Sequence, residues 1–220
     1  MPSLSEETHG RMARLLPGAT IGIIGGGQLG RMMALSARYM GFRIGVLDPT
    51  PDCPAAQVAD FQVTAAYGDK SAIRELARRS DVLTYEFENV DADAIDEVRD
   101  ITATPQGTDL LRVTQDRVHE KRFINEHGVR TAPWRQVDDC DALRSAIDNL
   151  GYPAVLKTRC GGYDGHGQVV LHDDSDRRRV EDRAEREGRL PPSILEGFVD
   201  FAFEASILVS GNGTDFVTFP

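Results

Sequence analysis

Thr20-Ile-Gly-Ile-Ile-Gly-Gly-Gly-Gln-Leu-Gly-Arg-Met-Met33 is the stretch on which the fold turns. A short apolar run, Thr20 to Ile24, is stopped by three consecutive glycines, and Leu29, Met32, Met33, Ala37 and Met40 then recur at helical spacing. Arg43 to Leu47 is the next apolar run, ended by Asp48-Pro49. Strand, glycine turn, helix and strand make a βαβ unit. Gly25-x-Gly27-x-x-Gly30, with Asp48 about twenty residues on, has the form of a dinucleotide fingerprint, and alone it predicts NAD. A helix N-terminus behind glycines attracts any phosphate or other anion, so the motif specifies an anion cradle more securely than one ligand. A tight turn without a ligand is the plainer alternative.

Downstream, Ile73, Leu76 and Ala77 mark a second helix, Val82 to Phe87 a buried strand, Ala94 to Val98 a third helix and Ile101 to Thr104 another strand. Strands alternating with helices imply a parallel sheet covered on both faces. A long helix from about Thr108 to His127 follows, broken by Gly128 and Pro133, and a domain boundary is expected near Arg112. This divides the chain into a tail (1–19), a Rossmann-like domain (20–112) and a second domain (113–220).

In that second part, Leu143, Ala146, Ile147 and Leu150 predict an amphipathic helix after Asp139 with Gly151 as its stop. Ala154 to Leu156 then delivers Lys157 into a loop with four glycines, Gly161, Gly162, Gly165 and Gly167, and Gln168 to Leu171 continues as a strand. Glycines let backbone amides close on phosphate oxygens, and the lysine adds a point charge. A Walker loop places its lysine after the glycines and opens a helix, so this is a hairpin flap suited to ATP. A mobile hairpin without a ligand is the alternative. Asp173 to Glu187 is so charged, with only Val180 and Ala184 apolar, that it reads best as a solvated surface helix. Ser193 to Val199, Phe201 to Ser210 and Phe216 to Pro220 are expected strands. An unpaired edge and no closing helix point to a longer parent protein cut at Pro220.

The composition, 40% hydrophobic and 27% charged, is that of a soluble globular protein. A formal charge of -10 disfavours broad contact with nucleic acid or anionic membrane, and leaves phosphate chemistry to local cations. No apolar run approaches a membrane helix or a signal-peptide core, so a cytoplasmic location is expected. Cys53, Cys140 and Cys160 are scattered, which fits free thiols, with Cys160 read as a small loop residue rather than a reactive one.

Tyr85-Glu86-Phe87-Glu88-Asn89 closes a strand at the sheet edge where ligands bind, and alternation would send both glutamates to one side; acids simply solvated there are the alternative. Arg117 and Lys121 share a helical face, as surface charges often do. Glu196 and Glu204 are placed to accept from an adenine amine or a ribose hydroxyl, or to be ordinary acids in half-buried strands. Of five histidines without metal-ligand spacing, His166 in the flap is the one worth testing.

Gly25-Gly-Gly-Gln-Leu-Gly-Arg-Met32, Asp48-Pro49, Thr84-Tyr-Glu-Phe-Glu-Asn89, Gln115-Asp-Arg117 with Glu120-Lys121, Thr131-Ala-Pro-Trp134, Gly161 to Gln168, and Glu196-Gly-Phe-Val199 with Glu204 occur together and in order. From about Thr20 to Pro220 the chain thereby resembles the 5-(carboxyamino)imidazole ribonucleotide synthases, a family of ATP-grasp enzymes. The resemblance implies an α/β protein: an N-terminal Rossmann-like (pre-ATP-grasp) parallel-sheet domain, then an incomplete ATP-grasp domain. It implies that ATP phosphorylates bicarbonate and that the amine of aminoimidazole ribonucleotide captures the carboxyl group. Arg117, Lys157, Gly162, Tyr163, Asp164, Gly165, His166, Gly167, Gln168, Glu196, Gly197, Phe198, Val199 and Glu204 would bind ATP. Gln28, Leu29 and Glu86 would meet the ribonucleotide, making the glycine fingerprint a substrate site; Tyr163 and Asp164 would bridge both substrates, and the catalytic set would be Tyr163, Asp164 and His166. The family usually has lysine or arginine where His166 stands, which puts less positive charge there. Its magnesium-binding acids would lie beyond residue 220, so this polypeptide is expected to hold no metal site and to catalyse little alone. A homodimer is also implied. The rivals are formate-dependent glycinamide ribonucleotide transformylase, which usually has Glu at the position of Gln28, an NAD-dependent oxidoreductase, and a non-catalytic nucleotide-binding fragment.

Overall fold

The computed structural model describes residues 15–162, 165–211 and 214–219. The chain divides into two compact units, Met1–Val129 with Arg159–Gly161, and Arg130–Thr158 with Gly162–Pro220.

In the first unit, β1 (Thr20–Ile24), α1 (Gln28–Tyr39), β2 (Arg43–Asp48), β3 (Phe61–Thr64), α2 (Lys70–Arg78) and β4 (Val82–Tyr85) follow one another, and the strands pair in parallel in the order β3-β2-β1-β4. Consecutive residues serve opposite faces. Ile23 and Val46 pack with Ala34 and Ala37 of α1, whereas Ile24 and Leu47 pack with Ile73 and Leu76 of α2 and with Ile95. That is why β1 and β2 read as unbroken apolar runs. Each such fully buried Ile or Leu contributes roughly 1.5–3 kcal/mol. The buried residues of α1 are the small ones, Gly30, Ala34 and Ala37; Leu29, Met32, Met33 and Met40, which gave the helical period, are exposed. Small residues let the helix lie close to the sheet. The edge strand β3 was not foreseen; it is pinned by Phe61, whose ring fills the space over Gly45 of β2, where a Cβ would come within 2.1 Å of the ring.

Three other expectations are corrected here. The strand before Glu86 stops at Tyr85, so a two-residue period does not govern Glu86 and Glu88; the first is half-buried and the second exposed. Ile101 to Thr104 forms no strand: Ala103 makes an isolated bridge to Val82, and Pro105, lacking an N–H, follows at once. The helix expected from Thr108 to His127 is two, α4 (Asp109–Thr114) and α5 (Arg117–Glu126), preceded by a short α3 (Ala92–Asp96). The break is at Gln115-Asp116. There the Asp116 carboxylate caps α5 by accepting from the Val118 and His119 backbone amides, and the Gln115 side-chain Nε2 donates to the Glu88 and Val90 carbonyls.

In the second unit, β5 (Trp134–Val137), α6 (Cys140–Leu150), β6 (Ala154–Thr158), β7 (Gln168–Leu171), α7 (Asp174–Glu187) and β8 (Ser193–Gly197) build an antiparallel sheet in the order β5-β8-β6-β7. Asp139 caps α6 by accepting from Ala142, and Gly151 ends it at φ 76°. Ala154, Leu156, Leu171 and Leu195 bury one face of the sheet against Leu143, Ala146 and Ile147 of α6 and Ala184 of α7. β9 (Leu208–Gly211) and β10 (Phe216–Phe219) form a separate antiparallel ribbon in which every residue is exposed. The strand expected from Phe201 to Ser210 is therefore only its last part, and Glu204 lies outside it. No described helix is long and apolar enough to cross a membrane.

Candidate nucleotide and acceptor sites

The second unit places its candidate residues by strand alternation. Lys157 pairs with Ile194 and Gln168, and Val155 with Glu196 and Val170, so these six share the sheet face opposite α6 and α7. Trp134, opposite Glu196, joins them. On that face the Lys157 Nζ lies 3.1 Å from Oε2 of Glu196, a carboxylate only 5% exposed. A cation, a buried acid and the apolar Val155, Val170 and Ile194 are what a phosphate tail and a flat base each require. Lys157 and Gln168 close the hairpin from which the flap springs, and the Thr158 amide donates to the Gly167 carbonyl at 2.8 Å. Gly167 sits at φ 74°, and a Cβ there would fall 2.6 Å from the Thr158 hydroxyl, so glycine is required where the flap rejoins the sheet. Gly165, His166, Gly167 and Gln168 are exposed and Gly162 is half-buried, while Tyr163 and Asp164 lie outside the described residues. Gly197 ends β8, its amide held by the Pro133 carbonyl at 2.8 Å; Phe198, Val199 and Glu204 follow it, all exposed.

Arg117 belongs to the first unit, half-buried at the start of α5. Its amide donates to the Arg159 carbonyl at 3.0 Å, and the Arg159 guanidinium meets both oxygens of Asp116, with Nε 3.1 Å from each. Reading α4 and α5 as one helix hid this pair, although an aspartate just before Arg117-Val118 is a helix-start signal. Burial works against the charge on Asp116, but the Arg159 hydrogen bond and the Val118 amide outweigh it and hold the carboxyl below its ordinary 3.8. A depressed carboxylate stabilises the fold at neutral pH and loses that effect as pH falls through its lowered value. Arg159→Gln is therefore expected to lower the stability of the first unit by about 2 kcal/mol at neutral pH, with the deficit closing as pH falls through the lowered pKa of Asp116. Urea unfolding across that range checks it; a deficit constant with pH would exclude the ion pair as its cause.

Partial desolvation and the Asp116 charge push the Cys160 thiol up, which disfavours the reactive thiolate.

In the first unit the glycine turn is gripped from both sides by carboxylates. The Gly26 amide donates to Asp48 Oδ2 at 2.8 Å and the Gly27 amide to Glu86 Oε1 at 3.3 Å. Burial and the Asp48 charge push the Glu86 carboxyl up, against the pull of the Gly27 amide. Gln28 and Leu29 follow in the first turn of α1, both exposed, and no side chain caps that helix at Gly27. Asp48 already accepts from Gly26, Thr50 and Tyr67. The acid that a dinucleotide site offers to a ribose is thus engaged by the protein itself, which speaks against the NAD reading.

The ribonucleotide synthetase preATP-grasp domain model matches residues 18–115, and the ATP-grasp domain model matches residues 122–220. The N5-carboxyaminoimidazole ribonucleotide synthase of Bacillus subtilis is 47% identical over 208 residues, covering 94% of this chain and 53% of its own length. The chain belongs to this ATP-grasp family. The same enzyme of Brucella melitensis is also 47% identical, over 89% of the chain and 54% of its own length. Among solved structures, the Staphylococcus aureus N5-carboxyaminoimidazole synthetase complexed with ADP superposes with a TM-score of 0.86 at 40% identity, over 94% of this chain and 54% of that one. The Aspergillus clavatus synthase in complex with ADP and 5-aminoimidazole ribonucleotide gives 0.80 at 26%, over 92% and 52%. The chain spans about half the length of the curated relatives it matches.

Proposed function

We propose that this chain supplies the glycine-turn domain and the flap-bearing part of an ATP-dependent N5-carboxyaminoimidazole ribonucleotide synthase of purine biosynthesis. The observation that carries the reading is the Lys157–Glu196 pair at 3.1 Å on the sheet face opposite α6 and α7, beside the root of a glycine hairpin. Lys157, with Arg117, would neutralise the triphosphate; Glu196 to Val199 would recognise adenine and Glu204 the ribose. Gly162 to Gln168 would close over the phosphates, with His166 among the flap groups.

A bicarbonate oxygen attacks the γ-phosphorus and ADP leaves, giving carboxyphosphate. The exocyclic amine of the ribonucleotide then attacks its carbonyl carbon, phosphate departs with the C–O bonding pair, and the nitrogen loses a proton to give the carbamate. Water must be kept from carboxyphosphate, which is the purpose of a flap. Tyr163 and Asp164 are proposed between the substrates, and Gln28, Leu29 and Glu86 at the ribonucleotide. Magnesium accompanies ATP in this proposal; among the described residues no three His, Cys, Asp or Glu side chains are grouped to hold a metal, so none of these residues is assigned to it. A division near Arg112, a cytoplasmic location and a homodimer belong to the same proposal.

The test is ADP release by the chain extended to the length of its relatives, with bicarbonate, with and without aminoimidazole ribonucleotide. Stimulation by the ribonucleotide is expected, and Glu86→Gln should remove it by weakening acceptor binding while leaving ATP affinity intact. Stimulation by glycinamide ribonucleotide plus formate instead would overturn the substrate assignment.

A further inference from the structure

We propose that Tyr67 is a positioning residue for the acceptor site, acting through Asp48 on the glycine turn. The inference rests on the function proposed above. Asp48 ends β2, is 5% exposed, and is held by three donors of the protein itself: Oδ2 accepts from Gly26 at 2.8 Å and from the Tyr67 hydroxyl at 2.6 Å, while Oδ1 accepts from the Thr50 amide at 2.8 Å. Tyr67 comes from the loop after β3, so the edge strand of the sheet is tied through one carboxylate to the turn that opens α1. Its ring leans on Phe87, centroids 5.2 Å apart, and Phe87 is next in sequence to Glu86, which holds the other amide of the turn.

The geometry allows little slack. A carboxylate oxygen with two donors is fixed in direction, and Gly26 lies so close that a Cβ there would be 2.8 Å from the Asp48 Cβ. Fixing Gly26 and Gly27 fixes the first turn of α1, where Gln28 and Leu29 present themselves. Burial, then the Asp48 hydrogen bond, pushes the Tyr67 hydroxyl up, so it remains a proton donor throughout the physiological range. The tyrosine thereby turns an acid that could have received a ribose hydroxyl into a brace for the turn.

Tyr67→Phe keeps the ring on Phe87 and removes only the donor. Amide exchange at Gly26, followed by NMR, is expected to accelerate about tenfold, the loss of roughly one hydrogen bond to a charged group. Affinity for aminoimidazole ribonucleotide, by calorimetry, is expected to fall by a similar factor, with ATP affinity unchanged. Asp48→Asn should act alike, because an amide in either orientation faces an N–H donor at Gly26 or Thr50, and the double variant should fall no further than the worse single one. Unchanged Gly26 exchange in Tyr67→Phe overturns the brace. Faster exchange with full ribonucleotide affinity, or additive losses in the double variant, overturns the positioning role. Failure of the wild-type chain, extended to the length of its relatives, to bind ribonucleotide would sink the proposed function instead, and Gly26 exchange would still decide whether Tyr67 holds the turn.

Discussion

Lys157→Ala is expected to lower ATP affinity by about 100-fold, the order found when one member of a hydrogen-bonded, desolvated charge pair is truncated. The same change removes the salt bridge to Glu196, a residue 5% exposed, so the second unit should also lose about 1–3 kcal/mol of stability. The two effects separate by design. Adding Glu196→Gln removes the buried charge and should recover part of the thermal transition without restoring nucleotide affinity. The first unit, with its own core, should keep its transition in both variants. Calorimetric titration with ATP, read beside thermal unfolding, gives all three quantities. An unchanged dissociation constant in Lys157→Ala would take the lysine out of the site, and recovery of affinity in the double variant would make it a purely structural partner.

The largest expected stability effect lies in the other unit. Gly26→Ala would put a Cβ 2.2 Å from the Cys53 sulfur and 2.8 Å from the Asp48 Cβ, in a place where Cys53 is buried and Asp48 is held by three donors. Neither neighbour can swing away. A loss of about 3 kcal/mol or more is expected, at the upper end for overpacking, and with it much of the soluble protein. Cys53→Ala in the same chain removes the nearer obstacle and should recover part of the loss, leaving the Asp48 contact. Gly68→Ala, with nothing within 4 Å of the added carbon, is the control and should be close to neutral. Full stability in Gly26→Ala would mean that the turn is not packed against Cys53 and Asp48 as described.

The opening βαβ unit was legible because its signals are local: Thr20 to Ile24, the glycines and Asp48 lie within one short stretch, and the apolar runs announce strands buried on both faces. The β6–β7 hairpin was legible for the same reason, since Lys157, the following glycines and Gln168 are near neighbours in sequence. What escaped depends on distant partners. Phe61-Gln-Val-Thr64 is too short to show a period and becomes a strand because β2 pairs with it. Trp134-Arg-Gln-Val137 has two exposed polar residues at its centre and is recruited by β8. The helix break at Asp116 hid in a charged stretch that suits a helix throughout, and the residue that holds the Asp116 cap, Arg159, is 43 residues away. Asp48 was visible as an acid at the right spacing, but that spacing says nothing about Tyr67, 19 residues on, which decides what the acid does.

The ribbon of β9 and β10 has a practical consequence. Leu208, Val209, Phe216, Val217 and Phe219 all meet water there, each at least 47% accessible. A dye such as anilinonaphthalene sulfonate should therefore fluoresce with the native chain at room temperature, and a bright signal would be no sign of a molten state. Preparations should also adhere to phenyl resin and cloud first as salt is raised, long before either sheet has melted.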